Sequence, residues 1–189
     1  MEAFAVSTAI VAIAEIGDKT QLLALILAAK YRRPIPIILG ILVATIANHA
    51  GAAAVGMLVS EWIGPVWMRW ILGVSFIVMG GWMLIPDKAD DDDEAAAPSG
   101  LGVFGATAVA FFLLEMGDKT QVATVALAAR YLDVAVVAAG TTLGMMLANV
   151  PAVLLGEVAA RKVPMRLVHG VSAAIFIVLG LATLLGPDW

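Results

Sequence analysis

The chain has no cysteine, only two histidines and few charged side chains. Charged residues make up 14% of its 189 residues, against about 25% in soluble globular proteins. The absence of cysteine excludes disulfides and thiolate metal sites. No nucleophile–base pair and no cofactor motif occurs in the sequence. We therefore expect no enzymatic activity, no resident cofactor and no nucleic-acid partner.

The residues that dominate instead are apolar and occur in long blocks. Hydrophobic residues make up 62% of the chain, and a helix needs roughly 20 of them in succession to cross a bilayer. The first block lacks a basic segment at its start and contains Glu15 and Asp18, so we interpret it as a mature helix rather than a signal peptide. The sequence predicts an all-α integral membrane protein with six transmembrane helices, at about 3–29, 35–59, 64–86, 101–129, 134–160 and 165–186.

A charged heptapeptide occurs twice, with its copies one hundred positions apart. Residues 15–21 read EIGDKTQ and residues 115–121 read EMGDKTQ, so six of the seven residues are identical. An Asp or Lys at the centre of a membrane helix costs roughly 2.5–3.5 kcal/mol. A chain that does this twice with the same residues uses them to hold or move something charged. Weaker matches at the same spacing extend the repeat: residues 28–31 with 128–131, Gly40 with Gly140, Gly56 with Gly156, and residues 76–80 with 176–180.

An acidic linker separates the two copies. Residues 87–100 include a run of four Asp and one Glu, which is typical of a solvated segment, although it could also concentrate divalent cations at the cytoplasmic mouth. We expect a three-helix repeat in residues 1–86, a cytoplasmic linker in 87–100 and a second three-helix repeat in 101–189. Because each repeat has an odd number of helices, the second enters the membrane from the opposite face. This predicts two inverted-topology repeats, with a substrate site near the membrane midplane.

The distribution of basic residues predicts the orientation. One face of the membrane collects seven Lys or Arg and the other collects two, and these residues favour the cytoplasmic side. We therefore expect the linker in the cytoplasm and both termini outside it. The cytoplasmic set is Lys30, Arg32, Arg33, Lys88, Arg161, Lys162 and Arg166, and the outer set is Arg69 and Arg130.

The ionisable residues of each heptapeptide share one face of a continuous helix. Glu15, Asp18 and Lys19 then lie together, and Glu15 can pair with Lys19 at the i, i+4 spacing. The second copy repeats this arrangement. Gly17 and Gly117 are poor helix residues that permit local unwinding, and unwinding would free backbone carbonyl oxygens as ligands.

Together the two copies predict a site for a divalent cation. Each carries two carboxylates and one ammonium, a net charge of minus one, so the pair sums to minus two. One divalent cation or two protons would neutralise this charge, and their competition is the simplest basis for antiport. Oxygen donors suit Mg²⁺, Ca²⁺ and Mn²⁺. The predicted metal ligands are Glu15, Asp18, Glu115 and Asp118, with Lys19, Thr20, Gln21, Asn48, Lys119, Thr120, Gln121 and Asn149 as supporting residues.

These features resemble a known family. Two copies of Glu-x-Gly-Asp-Lys-Thr-Gln, in two three-helix halves around an acidic linker, are similar to the Gdt-type manganese/calcium–proton exchangers. The resemblance covers essentially the whole chain. It implies a secondary transporter that exports Mn²⁺, with Ca²⁺ as a further substrate, in exchange for protons, and it implies a cation site at the acidic residues of both motifs. The short linker fits a bacterial protein, which we expect in the inner membrane.

Several residues also admit a structural interpretation. The motif charges could form ion pairs at helix crossings, and Lys19 and Lys119 could either balance the motif glutamates or occupy the empty site. Asn48 and Asn149 lie near the middles of the second helices of their halves, with a one-residue slip in register, and could bond between helices or bind the cation. His49 has no histidine counterpart in the other half and is either a packing histidine or a proton relay.

Two other functions compete with cation exchange. The chain could export another small cationic solute, although such a site needs apolar volume that the small, polar heptapeptide supplies poorly. Alternatively, it could be an accessory or structural membrane protein whose motif charges lock the two halves together. The sequence leaves the oligomeric state open, because Gly140 and Gly144 could pack helices within one chain or between two.

Overall fold

The protein is helical throughout the part of the chain that the computed structural model describes, residues 1–63, 65–85, 101–155 and 165–186. This confirms the all-α prediction for those residues. Eight helices are found there: α1 (Glu2–Glu15), α2 (Lys19–Tyr31), α3 (Pro34–Trp62), α4 (Pro65–Met83), α5 (Gly102–Glu115), α6 (Lys119–Tyr131), α7 (Val134–Leu155) and α8 (Met165–Leu185). The predicted linker at 87–100 lies outside the described residues, as do Gly156, Arg161 and Lys162.

The first and fourth predicted helices are not continuous, and this part of the sequence prediction is wrong. Each is divided at its heptapeptide into a helix of 14 residues and a helix of 13 residues. The other four predicted blocks correspond to α3, α4, α7 and α8. The halves match closely, since α1 and α5 end at Glu15 and Glu115, and α2 and α6 begin at Lys19 and Lys119. The charged residues of the two motifs therefore lie at helix ends, not in helix interiors.

The helices present large apolar side chains on the outside of the bundle. Trp62, Trp67 and Ile35 are 88%, 71% and 70% exposed, while many polar side chains are fully buried. Three helices, α3, α4 over residues 66–83, and α7, are each long and apolar enough to cross a membrane. An apolar surface around a polar interior suits a lipid environment. The protein is a multi-pass membrane protein.

The first helix of each half packs against the other half. Helix α1 packs against α7 of the second half, and α5 packs against α3 of the first. Both contacts use a small residue on the longer helix, since a Cβ added at Gly140 would lie 2.8 Å from Phe4 O and one added at Gly40 would lie 2.8 Å from Phe104 O. Thr8 Oγ1 also donates a hydrogen bond of 3.0 Å to Gly140 O. The heptapeptide at the end of each first helix is thereby brought against the opposite half.

A second glycine of α7, Gly144, also packs closely against α1 of the same chain. A Cβ added at Gly144 would lie 2.6 Å from Thr8 O and 2.8 Å from Ala12 N, which are backbone atoms that cannot rotate away. The pair Gly140 and Gly144 therefore packs helices of the same chain. The last helices of the two halves, α4 and α8, pack together as well, with the rings of Phe76 and Phe176 6.2 Å apart.

We predict that Gly144→Ala destabilises the protein by about 1–3 kcal/mol, because α1 must move away from α7 to admit the methyl group. Thermal unfolding of the purified protein in detergent measures this. Gly51→Ala is the matched control, since a Cβ at Gly51 has nothing within 4 Å and alanine favours the helix. Equal melting temperatures for the two variants would contradict this account of the packing.

Candidate functional site

Each heptapeptide forms a break between two helices. Gly17 and Gly117 have φ values of 85° and 79°, a left-handed conformation that other residues adopt only with strain. The residues on either side repeat the geometry, with φ and ψ of −77° and 167° at Asp18 and −76° and 166° at Asp118. Local unwinding, which the two glycines permit, is found at both positions. The two heptapeptides, identical at six of seven positions, therefore make the same backbone turn.

The last residue of each heptapeptide holds its own break in place. Gln21 Oε1 accepts a hydrogen bond of 2.9 Å from Gly17 N, and Gln121 Oε1 accepts one of 2.6 Å from Gly117 N. The two glutamines also reach across to the other half. Gln21 Nε2 donates to Ala148 O at 3.1 Å, and Gln121 Nε2 donates to Asn48 Oδ1 at 2.6 Å. In this structure Gln21 and Gln121 are tied into the framework of the breaks.

The breaks gather four carboxylates inside the bundle. Glu15 and Glu115 are the last residues of α1 and α5 and are fully buried, while Asp18 and Asp118 precede α2 and α6 and are 5% and 4% exposed. Each Asp stands at a helix N-terminus, where backbone N–H groups and the helix dipole favour negative charge, and Thr120 N lies 3.4 Å from Asp118 Oδ2.

Lys19 forms an ion pair across the two halves. Its Nζ lies 3.4 Å from Asp118 Oδ1. The predicted i, i+4 pairing of Glu15 with Lys19 is wrong in its basis, because the break places these residues in different helices. Lys119 is also in a different helix from the glutamate of its own motif, and its Nζ lies 5.9 Å from the centre of the Trp82 ring.

Each motif glutamate meets a polar side chain from the longest helix of the opposite half. Asn149 Nδ2 donates to Glu15 Oε1 at 3.2 Å, and His49 Nε2 lies 3.7 Å from Glu115 Oε2. Thr120 Oγ1 additionally donates to Glu115 Oε2 at 2.9 Å. His49 and Asn149 are fully buried and stand one hundred positions apart, so they are structural counterparts.

This correspondence corrects the predicted register. The sequence analysis pairs Asn48 with Asn149 through a one-residue slip, but the structural counterpart of Asn48 is Ala148. Asn48 and Ala148 each accept a hydrogen bond from a motif glutamine. The exact hundred-residue spacing of the repeat was the signal that could have identified His49 as the partner of Asn149. Asn48 Nδ2 lies 3.5 Å from Phe112 O, so Asn48 links α5 and α6.

Three buried oxygens of the motifs have no hydrogen-bond partner within the described residues: Glu15 Oε2, Glu115 Oε1 and Thr20 Oγ1. Unmet acceptors of this kind are costly in an apolar interior, and a cation is a partner that carboxylate oxygens would bind. No three His, Asp or Glu side chains converge closely enough to hold a metal ion in the described part of the chain. All twelve predicted site residues lie at or beside the two breaks. The role of the four carboxylates as cation ligands, and of the other eight residues as their support, stays a prediction.

A cavity of about 330 Å³ opens beside the second break. It lies between α3, α5 and α6, and its lining includes Asn48, Met116 and Gln121. Met116 is 57% exposed. The side-chain amides of Asn48 and Gln121, which border the second half of the site, therefore line this cavity.

Comparison with known proteins identifies the family. Residues 3–91 and 103–188 match the family described as Divalent cation/proton antiporter GDT1. The chain belongs to the GDT1 family. Both heptapeptides fall within the matched residues, and the GDT1 match spans both halves of the protein. The resemblance recognised in the sequence is therefore confirmed.

Relatives in several organisms are similar over nearly their full lengths. A Vibrio cholerae protein named "Putative manganese exporter" is 52% identical over 184 residues, which cover 97% of this chain and 90% of that protein. A GDT1-like protein of Synechocystis sp. is 26% identical over 205 residues, with 97% of each chain covered. GDT1-like protein 5 of Arabidopsis thaliana is 28% identical over 224 residues, covering 99% and 97%. No solved structure matches the chain.

We predict that Gly117→Ala destabilises the protein by roughly 1–2 kcal/mol, because an L-residue with a side chain is strained at positive φ. The strain is purely conformational, since a Cβ at Gly117 has nothing within 4 Å. Thermal unfolding in detergent measures the loss, and Gly170→Ala, another position with nothing within 4 Å but no positive φ, is the control. A Gly117→Ala protein as stable as the control would contradict the assigned backbone geometry.

Proposed function

We propose that this protein exports divalent cations from the cytoplasm in exchange for protons, with Mn²⁺ as the first substrate and Ca²⁺ as a second. The observation that carries the proposal is the burial of four carboxylates at two matched helix breaks, one break in each half. Family membership supports cation/proton exchange. The name of the 52% identical Vibrio cholerae relative supports Mn²⁺, and a site rich in oxygen donors also suits Ca²⁺.

We further propose that the chain crosses the membrane six times as two inverted repeats, residues 1–86 and 101–189, joined by a cytoplasmic linker at 87–100. Helices α1 and α2 together contain 27 residues, 14 and 13, which at 1.5 Å per residue reach about 40 Å and exceed the bilayer core. Counting each broken pair as one crossing gives three per half. The exchanged packing of α1 on α7 and α5 on α3 is what a two-fold axis in the membrane plane would produce.

The proposed location is a bacterial inner membrane, with both termini outside the cytoplasm. Basic residues support this orientation, because Lys30, Arg32 and Arg33 lie at the end of α2 on the proposed cytoplasmic side, while Arg69 and Arg130 mark the other side. Arg69 Nε donates to Leu184 O at 3.0 Å, and Arg130 Nη1 donates to Thr183 Oγ1 at 2.7 Å. Both outer arginines therefore attach to the end of α8, which supports their lying at the same face.

The mechanism we propose is competition between a divalent cation and protons for the same carboxylates. Glu15, Asp18, Glu115 and Asp118 carry a charge of minus four when ionised, and Lys19 and Lys119 reduce it to minus two. An ionised site of this charge is unstable in an apolar interior. Either one divalent cation or two protons restores neutrality, so departure of one favours binding of the other. The activity is transport, and it requires no covalent step.

We predict that Asp18→Asn and Asp118→Asn each lower Mn²⁺ transport at least about tenfold, because each removes a carboxylate that the ion and the protons share. The measurement is Mn²⁺ uptake into proteoliposomes with a pH-sensitive dye inside. Glu61→Gln removes a negative charge from an exposed position at the end of α3 and serves as the matched control. Normal Mn²⁺ uptake by both Asp variants, or a flat proton signal while the unmodified protein takes up Mn²⁺, would contradict the proposal.

A further inference from the structure

His49 is a buried imidazole that makes no hydrogen bond to the residues that the structure describes. Its side chain is 0% exposed, and neither Nδ1 nor Nε2 has a hydrogen-bond partner among the described residues. Its Nε2 lies 3.7 Å from Glu115 Oε2. Burying a polar group without a partner costs roughly 1–3 kcal/mol in proteins. The fold therefore retains His49 at a cost to its stability.

Packing alone does not account for a histidine at this position. The equivalent position in the other half holds Asn149, which meets its own glutamate through a direct hydrogen bond of 3.2 Å. An amide is thus sufficient to support a motif glutamate within this framework. At Glu115 that support already comes from Thr120 Oγ1 at 2.9 Å. The imidazole adds a nitrogen donor that the first half of the site lacks.

The spacing of His49 and Glu115 suits two ligands of one ion. Donors that bind the same cation at about 2.0–2.6 Å lie no more than roughly 5 Å apart, and the separation of 3.7 Å falls within that limit. Glu115 Oε1 is also buried without a hydrogen-bond partner. An ion placed here would satisfy the imidazole and the carboxylate together.

We propose that His49 is a ligand of the transported cation and sets its specificity, an inference that rests on the proposed function. Ca²⁺ and Mg²⁺ take oxygen ligands, whereas sites with nitrogen donors also bind divalent first-row transition metals, among which Mn²⁺ binds most weakly in the Irving–Williams order. One nitrogen among oxygen donors disfavours Ca²⁺ and Mg²⁺ relative to Mn²⁺. The Glu115–His49 half of the site then discriminates between ions, and the Glu15–Asn149 half does not.

The direct test is pulsed electron paramagnetic resonance of Mn²⁺ bound to the full chain, purified without a histidine tag. The expected result is modulation from a directly coordinated nitrogen in the unmodified protein, lost in His49→Asn. His169→Gln alters the chain's other histidine and should keep the signal. Bound Mn²⁺ without nitrogen coupling, or coupling that persists in His49→Asn, would overturn the assignment.

Transport measurements distinguish a role of His49 as a cation ligand from a role in packing. His49→Asn and His49→Gln should each raise the apparent KM for Mn²⁺ at least about tenfold, while Ca²⁺ uptake keeps its KM and shows that the variants fold. An equal loss for Mn²⁺ and Ca²⁺ in both variants would overturn the specificity role. Failure of the two proposals is distinguishable, because a chain that neither binds nor transports Mn²⁺ fails as an exporter, whereas one that transports Mn²⁺ without nitrogen coupling fails only in the role of His49.

Discussion

Burial of four carboxylates within an apolar bundle is the constraint on which the rest of the structure depends. In a continuous helix each would have only its own neighbours for support. The glycine breaks change this, because they place Asp18 and Asp118 at helix N-termini, where free N–H groups and the helix dipole favour negative charge. The glutamates end the preceding helices and face the opposite half. Two residues with positive φ thus allow the chain to keep charge where hydrocarbon would otherwise exclude it.

The contacts at the breaks run mainly between halves. Lys19 pairs with Asp118, Asn149 meets Glu15, and the two motif glutamines bond to α7 and α3. An ion bound at one motif would therefore act on side chains that contact the other half of the protein. A transporter that alternates between two sides of a membrane needs a site of this kind, since an ion or a proton at the shared carboxylates changes the energy of the contact between the halves. The candidate site and the interface between repeats are the same place.

Much of this was predictable from the sequence, and the failures have physical causes. Duplication of a charged segment at fixed spacing predicted both the internal repeat and the location of the candidate site, because ionisable residues are rare in membrane segments without a function. Continuous helices were predicted at the two motifs since hydropathy does not register a three-residue break. Pairing of Glu15 with Lys19 then followed from a helical register that the break removes. The ion pair of Lys19 with Asp118 joins residues 99 positions apart, and its partner was not predicted.

The two halves share a backbone geometry but differ in some side chains at equivalent positions. The sequence prediction assigned one of these equivalences wrongly. Matching Asn48 to Asn149 by residue type concealed the exact spacing, which pairs His49 with Asn149. Which residue contacts the glutamate of the opposite half depends on its position along the helix and not on its residue type. One repeat framework can in this way carry an amide in one half and an imidazole in the other.

The central claim is that both halves share one ion, and the most direct measurement is anomalous scattering from Mn²⁺ in crystals of the full chain. The account predicts one strong peak between the two breaks, within bonding distance of carboxylates from both Glu15–Asp18 and Glu115–Asp118. A peak bound by one motif alone, or Mn²⁺ only at the acidic linker, would contradict it.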